Sequence, residues 1–372
     1  MAAPLGLETR EQRGVFVTYM ALWVGYGLLN ELAKRHGVRF NSTSAVVLQS
    51  LLKLAIAAYM FLTTDARDRG GLRARWGFLL RQVAAHRALL LRYVVPAGLY
   101  VLYDVLSYVN LRQFDAPTYF LLLQFRMVVT GVLHQFMFQR RLNRNQWTSL
   151  AVTTLGCAVK TLGASAGAHS AGAHGAAGAA PSLFAYGLLL VQMLSSTFAG
   201  VYNEVLLKKQ AAIPLNLQNL FMYLDSIACT VAALALGLTG QSIAEVVRPA
   251  ELRVLFSLYV LPMVLIMACI GVVTSRFLQL LDSVRKAIAS ALELVVLPLL
   301  AAVLFGVPLT LATVASVACV GSGVYIYALP VAPASGSAAA KLSDHDHDHD
   351  TGDVEKGKLP LPPMVLLLTA KQ

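Results

Sequence analysis

Apolar runs of about 20 residues recur along this sequence from end to end, each long enough to cross the hydrocarbon core of a bilayer as an α-helix. No other feature restricts the fold so strongly. Backbone amides in lipid must be hydrogen-bonded within their own segment, so a chain with this pattern folds as a bundle of helices. The runs fall at 14–33, 44–64, 90–111, 117–138, 147–163, 182–206, 216–239, 254–275, 283–305 and 309–329, which predicts an all-α membrane protein of about ten transmembrane helices. Composition agrees, since only 13% of the residues are charged, about half of what a soluble domain uses to cover its surface. The first run has no small-residue cleavage site behind it and reads as a retained helix, not a removed signal peptide.

The net charge of +11 is informative by position. Arginines crowd residues 65–88 (Arg67, Arg69, Arg73, Arg75, Arg81, Arg87), and Arg140, Arg141 and Arg144 follow the fourth run. Lys208 and Lys209 end the sixth, whereas 164–181 holds no lysine or arginine. By the positive-inside rule this alternation places both termini in the cytosol and requires an even number of spans. It is a topology signal, so nucleic acid is not an expected partner; the lipid bilayer is. The Ala/Gly/His stretch 164–181 then reads as a luminal linker between two five-helix repeats, 14–163 and 182–329, with a cytosolic segment at 1–13. Laying the last two spans of each half over one another without gaps puts Phe138 on Phe305, Gly156 on Gly323 and Arg126 on Glu293. Weak internal similarity of this kind marks inverted-topology transporters, whose sites lie at the midplane between halves. Residues 330–372 read as a disordered cytosolic tail with an Asp/His run at 344–350; such tracts bind divalent metals weakly, and a solvated tail is the plainer reading.

Ionisable residues inside the runs carry the functional signal. A charge at the bilayer centre costs roughly 3 kcal/mol or more, so it is kept where it faces a partner or a water-filled cavity. Lys53, Arg126 and Lys286 are mid-span cations, and together they suit a ligand as anionic as a phosphate or diphosphate. Asp104 is a mid-span acid that either neutralises one of them or forms a structural ion pair. Glu293, at the position equivalent to Arg126, is expected to pair with it across the empty cavity, and Lys160 is expected to snorkel from the end of its span. Tyr100, Tyr103, Tyr119, Tyr202 and Tyr223 offer stacking faces and hydroxyls; Asn219 and Tyr223, four apart, share a helix face. No nucleophile elbow, metalloprotease motif or P-loop is present, so no enzyme, cofactor or catalytic metal is expected. The four cysteines lie in apolar runs without paired spacing and read as small core residues.

LQSLLKLAIA, YVVPAGLYVLYDVLSYVNL, DAPTYFLLLQFRMVVT followed by RRLNRNQW, FAGVYNEVLLKKQ, LQNLFMY and LDSVRKAIAS followed by LFG resemble, in this order, the nucleotide-sugar transporters of the Golgi and endoplasmic reticulum. The branch is that of the CMP-sialic acid, UDP-galactose and UDP-N-acetylglucosamine carriers, and the resemblance covers most of residues 44–327. It implies the drug/metabolite transporter fold, ten helices in two inverted repeats. It also implies exchange of a cytosolic nucleotide sugar for a luminal nucleoside monophosphate at the Golgi membrane or, as an alternative, that of the endoplasmic reticulum. A homodimer or a complex with a glycosyltransferase is compatible with it. Carried over by position, the basic site residues fall on Lys53, Arg126 and Lys286, and the nucleotide and ribose contacts on Tyr100, Asp104, Tyr119, Ser196, Asn219, Tyr223 and Ser275. Gly200 and Glu204 match a GVYxE turn of structural role. Three departures stand out: Tyr103-Asp104-Val105 replaces Gln-Asn-Asn, Tyr119-Phe120 replaces Tyr-Gln, and Arg126 replaces a lysine. A proton-coupled carrier with Asp104 as the proton site, and a non-transporting scaffold or regulatory subunit, are the rival readings.

Overall fold

The structure, a computed structural model, describes residues 7–114, 116–139, 141–170, 182–306 and 309–329. They form fourteen α-helices with no strand among the described residues. In chain order these are α1 (Arg10–Arg35), α2 (Ser42–Met60), α3 (Leu72–Ala85), α4 (Arg87–Gln113), α5 (Ala116–Leu123), α6 (Arg126–Phe138) and α7 (Arg144–Ser170). They continue with α8 (Leu183–Lys209), α9 (Leu215–Ala235), α10 (Ile243–Val246), α11 (Pro249–Leu255), α12 (Val260–Leu280), α13 (Ser283–Phe305) and α14 (Leu311–Ala328).

Local sequence explains the boundaries. Thr9 and Gln12 form a reciprocal capping box that starts α1 four residues ahead of the apolar run itself. Asn41 caps α2, Ser182 caps α8 and Asp282 caps α13, each side chain accepting from a first-turn amide. Gly306, at φ 65°, closes α13 in the left-handed conformation that glycine tolerates best.

Among the described residues nine helical segments are long and apolar enough to cross a membrane, α5 and α6 together counting as one of them. The remaining long helix, α7, is less apolar, yet it packs antiparallel on α14 at several levels. A Cβ on Gly163 would meet Ala312, one on Gly156 would stand 2.8 Å from Cys319, and one on Gly323 would meet Thr153. Small residues permit this close approach, and a helix so paired lies at the depth of its partner. Thus α7 lies along a candidate crossing without reaching the same apolarity itself. It also runs to Ser170, well past the expected end at 163, and the rest of the Ala/Gly/His linker lies outside the described residues, as does the Asp/His run.

The other main pairings are α4 with α8 and with α9, α1 with α12 and with α13, α2 with α9 and with α12, and α6 with α8. A core of Phe16 and Tyr19 (α1), Leu150 and Cys157 (α7), Phe277 (α12), Ile288 (α13) and Val320 (α14) fills the centre of one side. The four cysteines are free thiols.

The basic stretch 65–88 is more structured than a connecting loop. It begins with a π-helical turn at Phe61–Asp65 and a 3₁₀ turn at Arg67–Arg69, then forms α3. Its arginines have backbone carbonyls to bind, which a hydropathy profile cannot register.

Candidate functional site: a polar cleft between the helices

Arg126 sits where its span is interrupted. Gln124 N–H reaches Leu121 O and Phe125 N–H reaches Leu122 O, both at 3.1 Å, and Met127 N–H reaches Gln124 O at 3.2 Å. Bonds three residues back replace the four-residue ladder, so the expected continuous helix at 117–138 becomes α5 and α6, with Arg126 as the first residue of the second half. No glycine or proline marks residues 124–125, so the interruption leaves no trace in composition.

Around Arg126 the bundle gathers polar groups from several helices. Tyr19 (α1), Tyr100 and Tyr103 (α4), Cys157 (α7), and Lys286 and Glu293 (α13) all lie within its electrostatic reach. Arg126 keeps substantial exposure although it is mid-span. The direct Arg126–Glu293 pair is not formed: among the described residues no ion pair links them, and Glu293 is shared electrostatically with Lys160. Lys160 does not snorkel outward. Its Nζ donates to the Leu294 carbonyl of α13.

Lys53 marks the other end of the cleft. Its alkyl chain crosses Gly271 of α12, where a Cβ would stand 2.8 Å from Lys53 Cε and 3.1 Å from Tyr223 Oη. The missing side chain at Gly271 therefore lets the Lys53 chain and the Tyr223 hydroxyl approach one another. Asp104 lies within electrostatic reach of Lys53 without closing a direct ion pair, and it stays exposed. Asn219 and Tyr223 are buried on one face of α9; Asn219 Nδ2 lacks a hydrogen-bond partner, and the Tyr223 hydroxyl has only the Ser275 hydroxyl beside it. Ser275, also buried, stands beside the Tyr223 hydroxyl and donates to Gly271 O at 3.3 Å. An unpaired buried polar atom costs about 1–3 kcal/mol, so the Asn219 amide, one turn from the tyrosine that meets Lys53, is suited to a polar ligand. Tyr103, in reach of both Asp104 and Arg126, links the two ends.

The remaining predicted residues are placed differently. Tyr119 is committed to the bundle itself: its hydroxyl accepts from Gln192 Nε2 at 2.7 Å, and Gln192 also donates to Ser107 Oγ at 2.7 Å and accepts from Asn110 Nδ2 at 2.7 Å. Ser196 bonds back to Met193 O on α8 at 3.2 Å. Gly200, one turn on, brings α8 close to α4, with Tyr100 Oη 3.7 Å from where its Cβ would be. Glu204, fully buried, ties three helices. It accepts from Ser283 N–H at 2.8 Å and Ser283 Oγ at 2.5 Å at the start of α13, pairs with Lys208 at 2.6 Å, and faces His134 of α6 at 3.8 Å. Sequence reasoning missed Gly271, Gln192 and Tyr19: none is charged, and only the fold brings them to the charges. A cleft of about 320 Å³ between α1 and α12, lined by Gly14, Val15 and Val272 among others and flanked by Glu11 and Arg276, lies apart from these groups. Among the described residues no cluster of three His, Cys, Asp or Glu could hold a metal.

Membrane-crossing helices that turn cations, an acid and unpaired polar atoms toward a shared interior define a multi-pass carrier, since lipid would expel each of those groups. The chain belongs to the nucleotide-sugar transporter family, whose sequence pattern it matches over residues 15–328. It is 35% identical to the UDP-galactose transporter senju of Drosophila melanogaster, over 84% of this chain and 85% of that one. It is 28% identical to the UDP-galactose translocator of Mus musculus (79% and 72% covered) and 26% identical to CMP-sialic acid transporter 4 of Arabidopsis thaliana (63% and 62% covered). One solved crystal structure shares the fold at a TM-score of 0.53 and 16% identity, covering 84% of this chain and 94% of its own.

Proposed function

We propose that the protein is a UDP-sugar transporter, working as an antiporter that brings a nucleotide sugar from the cytosol into the Golgi lumen and returns the nucleoside monophosphate. The observation that carries this reading is the chain of polar groups between the helices: Arg126 and Lys286 together, and Lys53 against Tyr223 with the unpaired Asn219 Nδ2 one turn away. An elongated ligand with a diphosphate between a base and a sugar supplies negative charge for the cations and acceptors for the amide. The similarity to UDP-galactose transporters favours uridine over cytidine. Uncompensated cations are costly to dehydrate, so the empty carrier reorients poorly and exchange is favoured over free uniport.

Two inverted repeats with both termini in the cytosol fit this cycle. The helix pairings support the repeat: replacing each crossing by the one five along turns α4–α8 into α12–α1, α4–α9 into α12–α2 and α6–α8 into α13–α1, and maps α7–α14 and α2–α9 onto themselves. Tyr119, Ser196, Gly200 and Glu204 act in this scheme by holding helices, with the ligand contacts left to Lys53, Tyr100, Asp104, Arg126, Asn219, Tyr223, Ser275 and Lys286.

The test is counterflow in proteoliposomes preloaded with UMP, CMP or GMP and offered labelled nucleotide sugars. Uptake of UDP-galactose that requires UMP and disappears in Lys286→Ala is expected. No exchange with any pair by protein that unfolds cooperatively on heating would turn the assignment to a scaffold or regulatory subunit. Exposed Asp104 favours a second reading, a proton-coupled carrier; strict dependence of uptake on a pH gradient, lost in Asp104→Asn, would select it.

A further inference from the structure

The function of the cleft leaves the basic stretch between the second and third crossings unexplained. There, α3 exposes Leu72 (66%), Trp76 (44%) and Leu80 (66%), four residues apart and hence in line along one face. The face adjoining this line is fixed to the protein. Leu79 is buried, Phe78 stacks on Phe61 at 5.9 Å, and Arg69 lies 4.3 Å over the Phe78 ring. The Arg75 guanidinium donates to the carbonyls of Gly70 (2.9 Å), Arg67 (3.1 Å) and Leu62 (3.3 Å). The helix therefore cannot roll to hide its apolar line.

Nor can it leave the bilayer edge. The crossing before it ends at Asp65, and a single residue, His86, separates it from α4. At about 21 Å long, with Arg73, Arg75 and Arg81 in its sequence, it is too short and too charged to be a crossing itself. Exposed Arg73 borders the apolar line, exposed Arg81 lies further round the same side with its Nε on the Gly77 carbonyl at 3.2 Å, and Arg67, Arg69 and Arg87 are exposed close by. In residues 65–88 only Asp65 and Asp68 oppose six arginines. A Trp/Leu face beside arginines, tied by short connections to two crossings, is the chemistry of a helix seated among headgroups, and the charge excess selects anionic lipid.

We propose that α3 is a membrane-surface helix that inserts Leu72, Trp76 and Leu80 at the headgroup boundary of an anionic leaflet, with Arg73 and Arg81 on lipid phosphates. This assignment is independent of what the carrier transports. The experiment uses the full chain in phosphatidylcholine vesicles with and without phosphatidylserine in both leaflets, so the orientation of insertion does not matter. The lipid chains are brominated near the headgroup, and the emission of Trp76 is obtained as wild type minus Trp76→Phe. Trp76 is expected to be quenched by the brominated lipid, and more strongly with phosphatidylserine present. The phosphatidylserine-dependent increment is expected to vanish in the double variant Arg73→Gln/Arg81→Gln, whose replaced side chains are exposed. Quenching of Trp76 by aqueous iodide and not by lipid would overturn the proposal. So would shielding from both, which means a second copy or an acidic protein covers the face, and so would quenching indifferent to phosphatidylserine.

Discussion

Gly271 shows how a residue without chemistry sets up a polar site. Adding one methyl group there places it 2.8 Å from Lys53 Cε and 3.1 Å from the Tyr223 hydroxyl. The lysine chain is flexible and can move aside, so Gly271→Ala should fold normally while Lys53 loses its place beside Tyr223. We expect exchange to fall on the order of tenfold, the scale of a misplaced ligand-binding group, with the thermal unfolding midpoint in detergent unchanged. A loss of stability matching the loss of transport would refute this positioning role. Glu204 should behave in the opposite way. Its carboxylate is fully buried against Lys208 and the start of α13, so Glu204→Leu strands those donors. It should cost about 3 kcal/mol, read as an early thermal transition. Lys53, Arg126 and Lys286 were legible in the sequence because a mid-span charge is conspicuous in an apolar run. Gly271 was not, because its role is an absence of atoms opposite a side chain more than two hundred residues away.

At the scale of elements, the polar contacts between helices were the least legible. Gln192 of α8 serves Asn110, Ser107 and Tyr119 at once, joining α4 to α5 and α8. Gln192→Leu leaves the buried Asn110 amide unpaired and should cost about 2 kcal/mol, measured by thermal unfolding in detergent, with transport by the surviving folded fraction retained. Intact stability in that variant would mean the network carries no weight. The α7–α14 pair depends on size alone. In Gly323→Ala the new methyl meets Thr153 Oγ1 and lies 3.1 Å from the Ser149 carbonyl, so the helices must separate, at a cost of about 1–3 kcal/mol. Helix existence and approximate ends followed from apolar length and from caps such as Thr9–Gln12 and Asp282. The interruption at Gln124–Phe125 did not: the Gln124 side chain donates to the Phe120 carbonyl at 3.2 Å while the Gln124 backbone N–H turns to Leu121 O, and a lone glutamine gives no such signal in a hydropathy pattern. The folding of 65–88 into α3 is similar: its arginines find carbonyl partners only once the turn before them exists.

For the whole molecule, the alternation of crossings makes a prediction independent of transport. With the four native cysteines replaced by alanine, Asp68→Cys and Ser242→Cys should be labelled from opposite sides of sealed membrane vesicles of known orientation, Asp68→Cys from the cytosolic side. Labelling of both from one side would remove a crossing between them and break the antiparallel relation of α2 to α9. The sequence by itself determined that the chain is a helical membrane bundle, about where its crossings lie, which of them carry charge, and the family to which it belongs. Those properties depend on hydropathy, length and local motifs, all of which are read within a window of the chain. Only the tertiary structure decided that Lys53 meets Tyr223 across Gly271, that Lys160 turns inward to α13, that Tyr119 belongs to a helix-joining network, and that α3 presents its apolar line outward. Each of these is a contact between segments far apart in sequence, set by how helices of given shape can pack, and packing is a property of pairs that no single segment encodes.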